Sequence, residues 1–168
     1  MYQVDDVIVY GKHGVCRVKE IGTLSMSQAD NEKLYYTLSP MFRSEVVLYA
    51  PVDNTKVVMR SVLSKKQVEE LIGDMPQIPP VEVENEKERE TAYKRALLSA
   101  DQSRVVSLLK TISQRQRQRT AEGKKLTMLD EKYFRMAETF LLDELAYGLG
   151  KDPKEIDEFV QEKLVVNE

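Results

Sequence analysis

The chain has one cysteine, one histidine and no tryptophan among its 168 residues. The single Cys16 excludes an internal disulfide framework and a zinc cluster of cysteines, and it suits a reducing compartment. His13 stands three residues before it, so these two residues form the one candidate pair for nucleophilic catalysis. Because successive strand residues face opposite sides of a sheet, we expect the two side chains to point apart. The sequence therefore predicts no enzyme, no metal site and no cofactor.

Long apolar runs and glycine-rich loops are also missing. No stretch approaches the ~20 apolar residues that cross a bilayer, and the first residues lack the pattern of a signal peptide. Gly11 and Gly14 are too few to form a phosphate-binding loop. The formal net charge of -3 argues against coating of nucleic acid by bulk charge, so any DNA contact needs a local basic patch. We expect a cytoplasmic protein without a membrane partner.

Residues 1–64 show the alternation and turn spacing of a small all-β module. Short connections between the apolar runs predict antiparallel pairing, and five short strands can form a barrel. Such a barrel keeps exposed edges, to which a partner can add a strand. The predicted strands are residues 7–10, 14–18, 34–38, 45–49 and 56–60.

The apolar run Val46-Val47-Leu48-Tyr49 is the best candidate for an open edge. Main-chain hydrogen bonds would then provide most of the contact with a partner strand. Burial of both faces in the core is the competing interpretation, and from the sequence alone it is the more frequent outcome for such a run.

Residues 65–80 predict a short helix followed by a linker. Ser64 can cap this helix, which should end at Gly73 and which we expect to close the barrel. The linker contains three prolines, which cannot donate backbone hydrogen bonds and which favour extended backbone.

From residue 81 onward, apolar residues recur at helical spacing. About four helices of ordinary length predict a bundle over residues 81–168, which makes the fold class α+β with two domains. Asp101, Thr127 and Asp152 are the predicted N-caps, and Gly148 with Gly150 should end the longest helix.

The helical half also contains a local excess of positive charge. Between Asp101 and Glu138, nine basic residues face five acidic ones, a net charge of +4. Such an excess suits phosphate contacts that position a protein on DNA without reading bases. Cations near a helix C-terminus also stabilise the helix dipole, and charge alone leaves the two interpretations even. The nine are Arg104, Lys110, Arg115, Arg117, Arg119, Lys124, Lys125, Lys132 and Arg135.

Several motifs resemble, in order, those of the CarD/CdnL family of bacterial transcription regulators. Residues 5–14 resemble its opening Gly-Asp, Val-Val-Tyr-Pro-x-His-Gly motif, and residues 35–38 and 50–54 resemble its Tyr-x-x-Leu and Val-Pro-x-Glu/Asp-Asn strands. Residues 97–101 and 126–146 resemble its Leu-x-Ser-Gly-Asp junction and the helix that follows. The N-terminal module of this family is similar to the RNA-polymerase-interacting domain of transcription-repair coupling factors.

This resemblance implies a Tudor-like barrel that binds the β subunit of RNA polymerase by strand addition. It also implies a helical domain that contacts upstream promoter DNA without sequence specificity, in a regulator of transcription initiation that we expect to be a monomer. By position, it assigns polymerase contacts to Leu24, Ser25, Met26, Val47, Leu48 and Tyr49. It assigns DNA contacts to Arg89, Tyr93, Lys94, Arg95, Arg115, Arg117, Arg119, Lys124 and Lys125.

One feature of the resembling family has no direct counterpart in this chain. Family members that stabilise open promoters often wedge a tryptophan into the minor groove, and Glu86 or Arg89 occupies that position here. Tyr93 is the candidate substitute for an apolar wedge. The alternative function is a protein–protein adapter whose helical domain binds another protein rather than DNA.

Overall fold

A computed structural model of the protein describes residues 1–24, 32–43 and 45–165. The chain divides into two units, Met1–Val62 and Leu63–Glu168. An antiparallel sheet forms the first unit and α-helices form the second, so the predicted α+β two-domain class is confirmed. Within the described residues, no helix is both long enough and apolar enough to cross a membrane.

The described residues of the N-terminal unit form a five-stranded sheet in the order β4-β3-β2-β1-β5, with antiparallel pairing between all neighbours. Strands β4 and β5 lie at its two ends. The inner side chains of the sheet form one cluster that includes Ile8, Val18, Tyr36 and Leu38, all essentially inaccessible to solvent. The strands are β1 (Val7–Tyr10), β2 (Val15–Gly22), β3 (Tyr35–Pro40), β4 (Leu48–Pro51) and β5 (Met59–Ser61).

Strand β5 begins three residues later than the sequence predicted, and Asn54 provides the reason. Its side-chain oxygen accepts hydrogen bonds from the backbone N–H groups of Lys56 and Val57, and its amide nitrogen donates to the Val57 carbonyl at 2.7 Å. Such a side-chain bridge holds the backbone in a turn. Residues 54–57 therefore cannot join the strand ladder.

Within residues 63–165, the C-terminal unit contains five α-helices, one more than the number predicted for the bundle, because the first of them belongs to this unit. Four predicted N-caps are confirmed: the side chains of Ser64, Asp101, Thr127 and Asp152 each accept a backbone N–H of the first turn. Short 3₁₀ turns occupy Met75–Gln77 and Glu86–Glu88. The helices are α1 (Lys65–Asp74), α2 (Arg89–Leu98), α3 (Gln102–Ala121), α4 (Met128–Leu149) and α5 (Pro153–Leu164).

Two predicted glycine stops are wrong, since α1 continues through Gly73 and α4 continues through Gly148. A Cβ atom at Gly148 would lie 2.6 Å from Cγ2 of Val68, so the missing side chain allows α1 to pack against α4. The helix that we expected to close the barrel is thus part of the helical unit. Gly150 does end α4, in the left-handed conformation with φ of 67°.

Candidate functional site

The outer border of β4 has backbone groups that face away from the sheet. Residues of an antiparallel pair alternate between positions that exchange hydrogen bonds and positions that do not. The N–H of Val52 donates to the carbonyl of Leu34 at 3.0 Å, which sets the phase of the β3–β4 ladder. Two residues along, Ala50 therefore directs its N–H and C=O towards β3. Tyr49 directs both groups away from it.

Pro51 is in the same phase as Tyr49, but it has no N–H to donate. Within the described part of the chain, β4 pairs with β3 alone. The outward row of donors and acceptors is consequently short, running from Tyr49 to the carbonyl of Pro51. A partner strand placed beside β4 would meet this row first.

The side chains at this border are apolar and accessible. Val46, Val47 and Tyr49 are 42%, 52% and 43% exposed, whereas Leu48 is half-buried and Ala50 is fully buried. Burial of both faces, the more frequent outcome for such a run, is wrong here because β4 lies at an end of the sheet. Exposed apolar side chains beside outward backbone groups are typical of a protein contact.

The other polymerase contacts assigned by position lie elsewhere. Leu24 is half-buried and follows the end of β2, and β3 separates β2 from β4 in the sheet. The structure therefore brings Val47, Leu48 and Tyr49 together but leaves Leu24 off the β4 border. Ser25 and Met26 lie outside the described residues.

Cys16 and His13 do not form a nucleophile and base. Cys16 is fully buried in the sheet core, and burial raises the pKa of its thiol to about 12. The ring of His13 stacks on Tyr10 with 5.5 Å between centroids, and burial lowers the pKa of His13. A thiol with so high a pKa supplies little thiolate near neutral pH. Within residues 1–24, 32–43 and 45–165, no cluster of three or more metal-binding side chains occurs.

In the helical unit, five polar side chains form a closed circuit. Arg89 Nη2 lies 2.7 Å from Glu86 Oε1, and Arg89 Nη1 donates to the Tyr93 hydroxyl at 3.2 Å. The Tyr93 hydroxyl donates to Asp130 Oδ1 at 2.7 Å. Arg115 closes the circuit, with its Nε 2.7 Å from Asp130 Oδ2 and its Nη1 3.4 Å from Glu86 Oε1. We call these five residues the polar circuit.

The pKa values of the polar circuit show which members stay charged. Burial alone would raise the pKa of Asp130, but hydrogen bonds from Tyr93, Arg115 and Thr127 outweigh it and lower the pKa. The hydrogen bond from Arg89 lowers the pKa of Glu86 to about 2. Burial, then the bond to Asp130, raises the pKa of Tyr93 to about 12. Two arginines therefore face two carboxylates around a neutral phenol at physiological pH.

The polar circuit buries three of the residues that were predicted to bind DNA, fully or in part. Tyr93 is fully buried, so its assignment as a substitute wedge is wrong: the ring packs at 5.7 Å from that of Tyr133, and the hydroxyl is engaged. The side chains of Arg89 and Arg115 are only 13% and 20% exposed. Much of their hydrogen-bonding capacity is directed into the protein.

Lys110 also lies inside the protein, although we counted it in the basic segment. It is 1% exposed, and its Nζ donates to the carbonyl oxygens of Met75 and Ile78, the latter at 2.7 Å. Burial lowers the pKa of this ammonium group. The sequence contains an indication that Lys110 is buried, because it lies about one helical turn after Val106, an apolar residue that is itself buried.

A group of basic residues lies at the far end of α3 and in the turn that follows it. Arg119 Nε donates to the carbonyl of Lys125 at 2.6 Å, which folds the turn back on the helix. Gly123 allows this turn with φ of 76°. Arg117, Lys124 and Lys125 are exposed, and Lys124 has a surface pair with Glu122 at 3.5 Å. We call Arg117, Arg119, Lys124 and Lys125 the basic turn.

Lys94 and Arg95 are exposed on α2. Arg104, which we did not assign to any site from the sequence, lines a groove together with Arg95. The spacing of residues in the sequence could not reveal that Arg95 and Arg104 line the same groove, because they lie on different helices.

Residues 2–63 match the family described as the CarD-like/TRCF RID domain. No curated protein matches the chain. The matched range contains all five strands, including the open border of β4. A domain of this family is an RNA-polymerase-interacting domain, which gives the chain RNA polymerase as a partner and a role in transcription. The N-terminal unit therefore belongs to the CarD-like/TRCF RID family of RNA-polymerase-interacting domains.

Proposed function

We propose that the protein regulates transcription initiation by two contacts. Its β4 border adds a strand to the β subunit of RNA polymerase, and its basic turn holds upstream promoter DNA through phosphates. The observation that carries the proposal is the β4 border itself, with outward backbone groups at Tyr49 and exposed apolar side chains at Val46, Val47 and Tyr49.

Strand addition suits this border for a physical reason. Main-chain hydrogen bonds provide affinity in such contacts, while alternate side chains provide specificity. Exposed edge strands of stable proteins usually have charges or prolines that prevent pairing. Here Val46, Val47 and Tyr49 are uncharged, and Pro51 interrupts the donors only at the end of the strand.

The proposed DNA contact is supported by the difference in exposure among the basic residues. The polar circuit holds Arg89 and Arg115 against carboxylates, whereas Arg117, Lys124 and Lys125 are exposed to solvent. Phosphate contacts need mobile, accessible cations and carry no sequence information. The basic turn therefore suits non-specific, salt-sensitive binding to the DNA duplex.

Met128 takes the part of an apolar wedge in this proposal. It opens α4 three residues after Lys125, and its side chain is 87% exposed. Methionine is among the apolar side chains that insert between base steps in minor-groove proteins. Met128→Ala should weaken binding to a duplex with an unpaired step more than binding to an intact duplex. Equal losses on both duplexes would remove this role.

No chemical step is required of the protein. A binder shifts an equilibrium only by its differential affinity for the states, so regulation would follow from which promoter intermediate the two contacts favour. We propose a non-enzymatic function on this basis.

Co-purification with RNA polymerase tests the first contact. Tyr49→Pro removes an outward N–H without removing a bond to β3, and Tyr49→Ala removes the ring but keeps the N–H. We expect Tyr49→Pro to weaken binding by at least about tenfold and Tyr49→Ala to weaken it less.

Ser61→Pro is the matched control for this experiment. The Gly11 N–H donates to the Val58 carbonyl, and this bond sets the phase of the β1–β5 ladder. In that phase the backbone N–H and C=O of Ser61 face away from β1, at the end of the sheet opposite β4. It should leave polymerase binding unchanged. Retained binding by Tyr49→Pro, or equal loss in Ser61→Pro, would contradict strand addition at β4.

Salt-dependent DNA binding separates the proposal from the adapter alternative. In the intact chain, Lys124→Gln and Lys125→Gln should each reduce the slope of log affinity against log salt by roughly one. Lys151→Gln, an exposed lysine near the end of α4, is the matched control. If the chain shows no affinity for duplex DNA at low salt, the helical unit is a protein-binding adapter instead.

A further inference from the structure

A groove separates α2 and α3 from the extended segment that precedes α2. Its floor consists of small side chains, Ala92 and Ala96 of α2 with Ser107 of α3, and its wall is Pro79, Pro80 and Val81. Ala92 and Ala96 stand four residues apart, so their methyl groups lie next to each other on one helix face. The groove has a volume of about 250 Å³. This is below the roughly 300–1,000 Å³ of sites for drug-sized ligands, and it suits one or two side chains.

The wall of this groove is held in place by buried and half-buried side chains of α3. Lys110 donates to the carbonyl of Ile78 at 2.7 Å, and the Thr111 hydroxyl accepts the N–H of Val81 at 2.7 Å. These bonds fix the extended segment at both ends of the proline pair. A groove with a fixed wall loses little entropy when a ligand binds, which favours affinity.

Two arginines stand on the rim. Arg95 projects from α2 and Arg104 from α3, and both are exposed. Glu82 shares the rim, and Asp101 approaches Arg104 with 4.0 Å between Nε and Oδ2. Such an exposed pair at this distance is weak, so the Arg104 guanidinium can exchange it for a better-placed carboxylate.

We propose that this groove binds an acidic peptide segment of a partner protein, with an apolar side chain in the groove and carboxylates on Arg95 and Arg104. The apolar floor favours a peptide over DNA, because phosphate contacts require neither the alanines nor the prolines. The carboxylates next to the apolar residue pair bidentately with the guanidinium groups. The apolar side chain fills the hollow above Ala92 and Ala96.

The site is separate from the basic turn. Arg104 and Arg119 are fifteen residues apart in α3, which corresponds to roughly 22 Å along the helix. The peptide contact therefore does not depend on the proposed DNA contact, and either can fail without the other.

Titration of the intact chain with a blocked tetrapeptide, Glu-Leu-Phe-Glu, tests the proposal. The amide peptide Gln-Leu-Phe-Gln is its matched probe. We expect saturable shifts of the Ala92 and Ala96 methyl signals with the acidic peptide, and an affinity at least about tenfold lower for the amide peptide. Equal binding of the two peptides, or unmoved methyl signals, would overturn the proposal.

Three variants complete the test. Arg95→Gln with Arg104→Gln should lower the affinity for the acidic peptide about tenfold, and Arg117→Gln should leave it unchanged. Ala92→Leu fills the groove with a residue of similar helix propensity and should abolish binding without loss of thermal stability. Binding that survives Ala92→Leu would contradict the site. Displacement of the peptide by duplex DNA would show that the rim is a phosphate contact instead.

Discussion

The two units of this protein treat their polar groups in opposite ways. The helical unit turns many of them inward: Asp130 is fully buried in the polar circuit, and Lys110 is buried against two carbonyl oxygens. The sheet unit leaves the backbone groups of β4 and β5 facing outward at its two ends. An unmade buried hydrogen bond costs stability, whereas an unmade edge bond is satisfied by water until a partner arrives. Stability and recognition are thus placed in different units.

This comparison predicts the largest loss for a break in the polar circuit. Asp130→Asn removes the charge that faces Arg115 and should lower the free energy of unfolding of the helical unit by about 3 kcal/mol. Glu131→Gln, the exposed carboxyl next to it, should change it by less than about 0.5 kcal/mol. Urea unfolding at pH 7 measures both values. Similar values for the two variants would mean that the polar circuit does not stabilise the fold.

The pH dependence of this loss has a defined sign. The pKa of Asp130 in the fold is below its unfolded value, so its contribution is present above the unfolded value of about 3.9 and disappears as pH falls below it. The difference between the parent chain and Asp130→Asn should therefore shrink between pH 5 and pH 3. A difference that stays constant over that interval would contradict the lowered pKa.

A smaller loss is expected at Lys110. Lys110→Met keeps the apolar stem but removes the Nζ donor to the carbonyls of Met75 and Ile78, of which Met75 keeps the Ile78 N–H at 3.3 Å. It should lower the free energy of unfolding by about 2 kcal/mol. Thr111→Val, on the next residue, removes the bond to Val81 and should cost about 1 kcal/mol. Thermal unfolding compares the two variants. A stabilised Lys110→Met would show that desolvation of the ammonium outweighs its hydrogen bonds.

The packing of α1 on α4 predicts that Gly148→Ala lowers the free energy of unfolding by about 1–2 kcal/mol, since the new methyl would meet Val68. Gly73→Ala is the matched control, because a Cβ there meets nothing within 4 Å. It should stabilise the chain by up to about 1 kcal/mol through helix propensity. Equal effects of the two substitutions would mean that α1 and α4 do not pack closely.

The smallest effect is expected at the border of the sheet. Ser61→Pro removes an outward N–H and should lower the free energy of unfolding by less than about 1 kcal/mol. Arg60→Pro removes a hydrogen bond to β1 and should lower it by about 3 kcal/mol. Hydrogen exchange of the Val9 amide and thermal unfolding measure the difference. If the two prolines cost the same, β5 is not an open edge, and the comparison between the units fails for the sheet.

Much of the architecture was predictable from neighbouring residues. The predicted strand of residues 7–10 matches β1, and Ser64, Asp101, Thr127 and Asp152 cap helices as predicted. Caps depend on a side chain and a backbone N–H only two or three residues away, so the sequence contains all the information. Strand positions near turns were predicted less well, because a side-chain bridge such as that of Asn54 delays the ladder.

The candidate sites were predictable only in part. The apolar run of β4 was the best candidate for an open edge, although the sequence alone favoured burial of both its faces. Its exposure depended on the strand order, which local patterns do not reveal. Phe159 lies one helical turn after the buried Ile156 of α5, yet it is 43% exposed, with Lys163 above its ring. Helical periodicity gives the direction of a side chain to within a face, and the neighbouring helices decide how much of that face is covered.

By itself, the amino-acid sequence determined the types of the elements, their caps and the local excess of positive charge, since each of these depends on residues close together in the chain. Only the tertiary structure decided which cations remain accessible. Arg115 and Tyr93 are engaged by Asp130, which is 15 and 37 residues away, and Lys110 is engaged by carbonyls more than 30 residues away. Burial removes a charge from water only when distant segments cover it, so the basic turn became distinguishable from the polar circuit only in the folded chain.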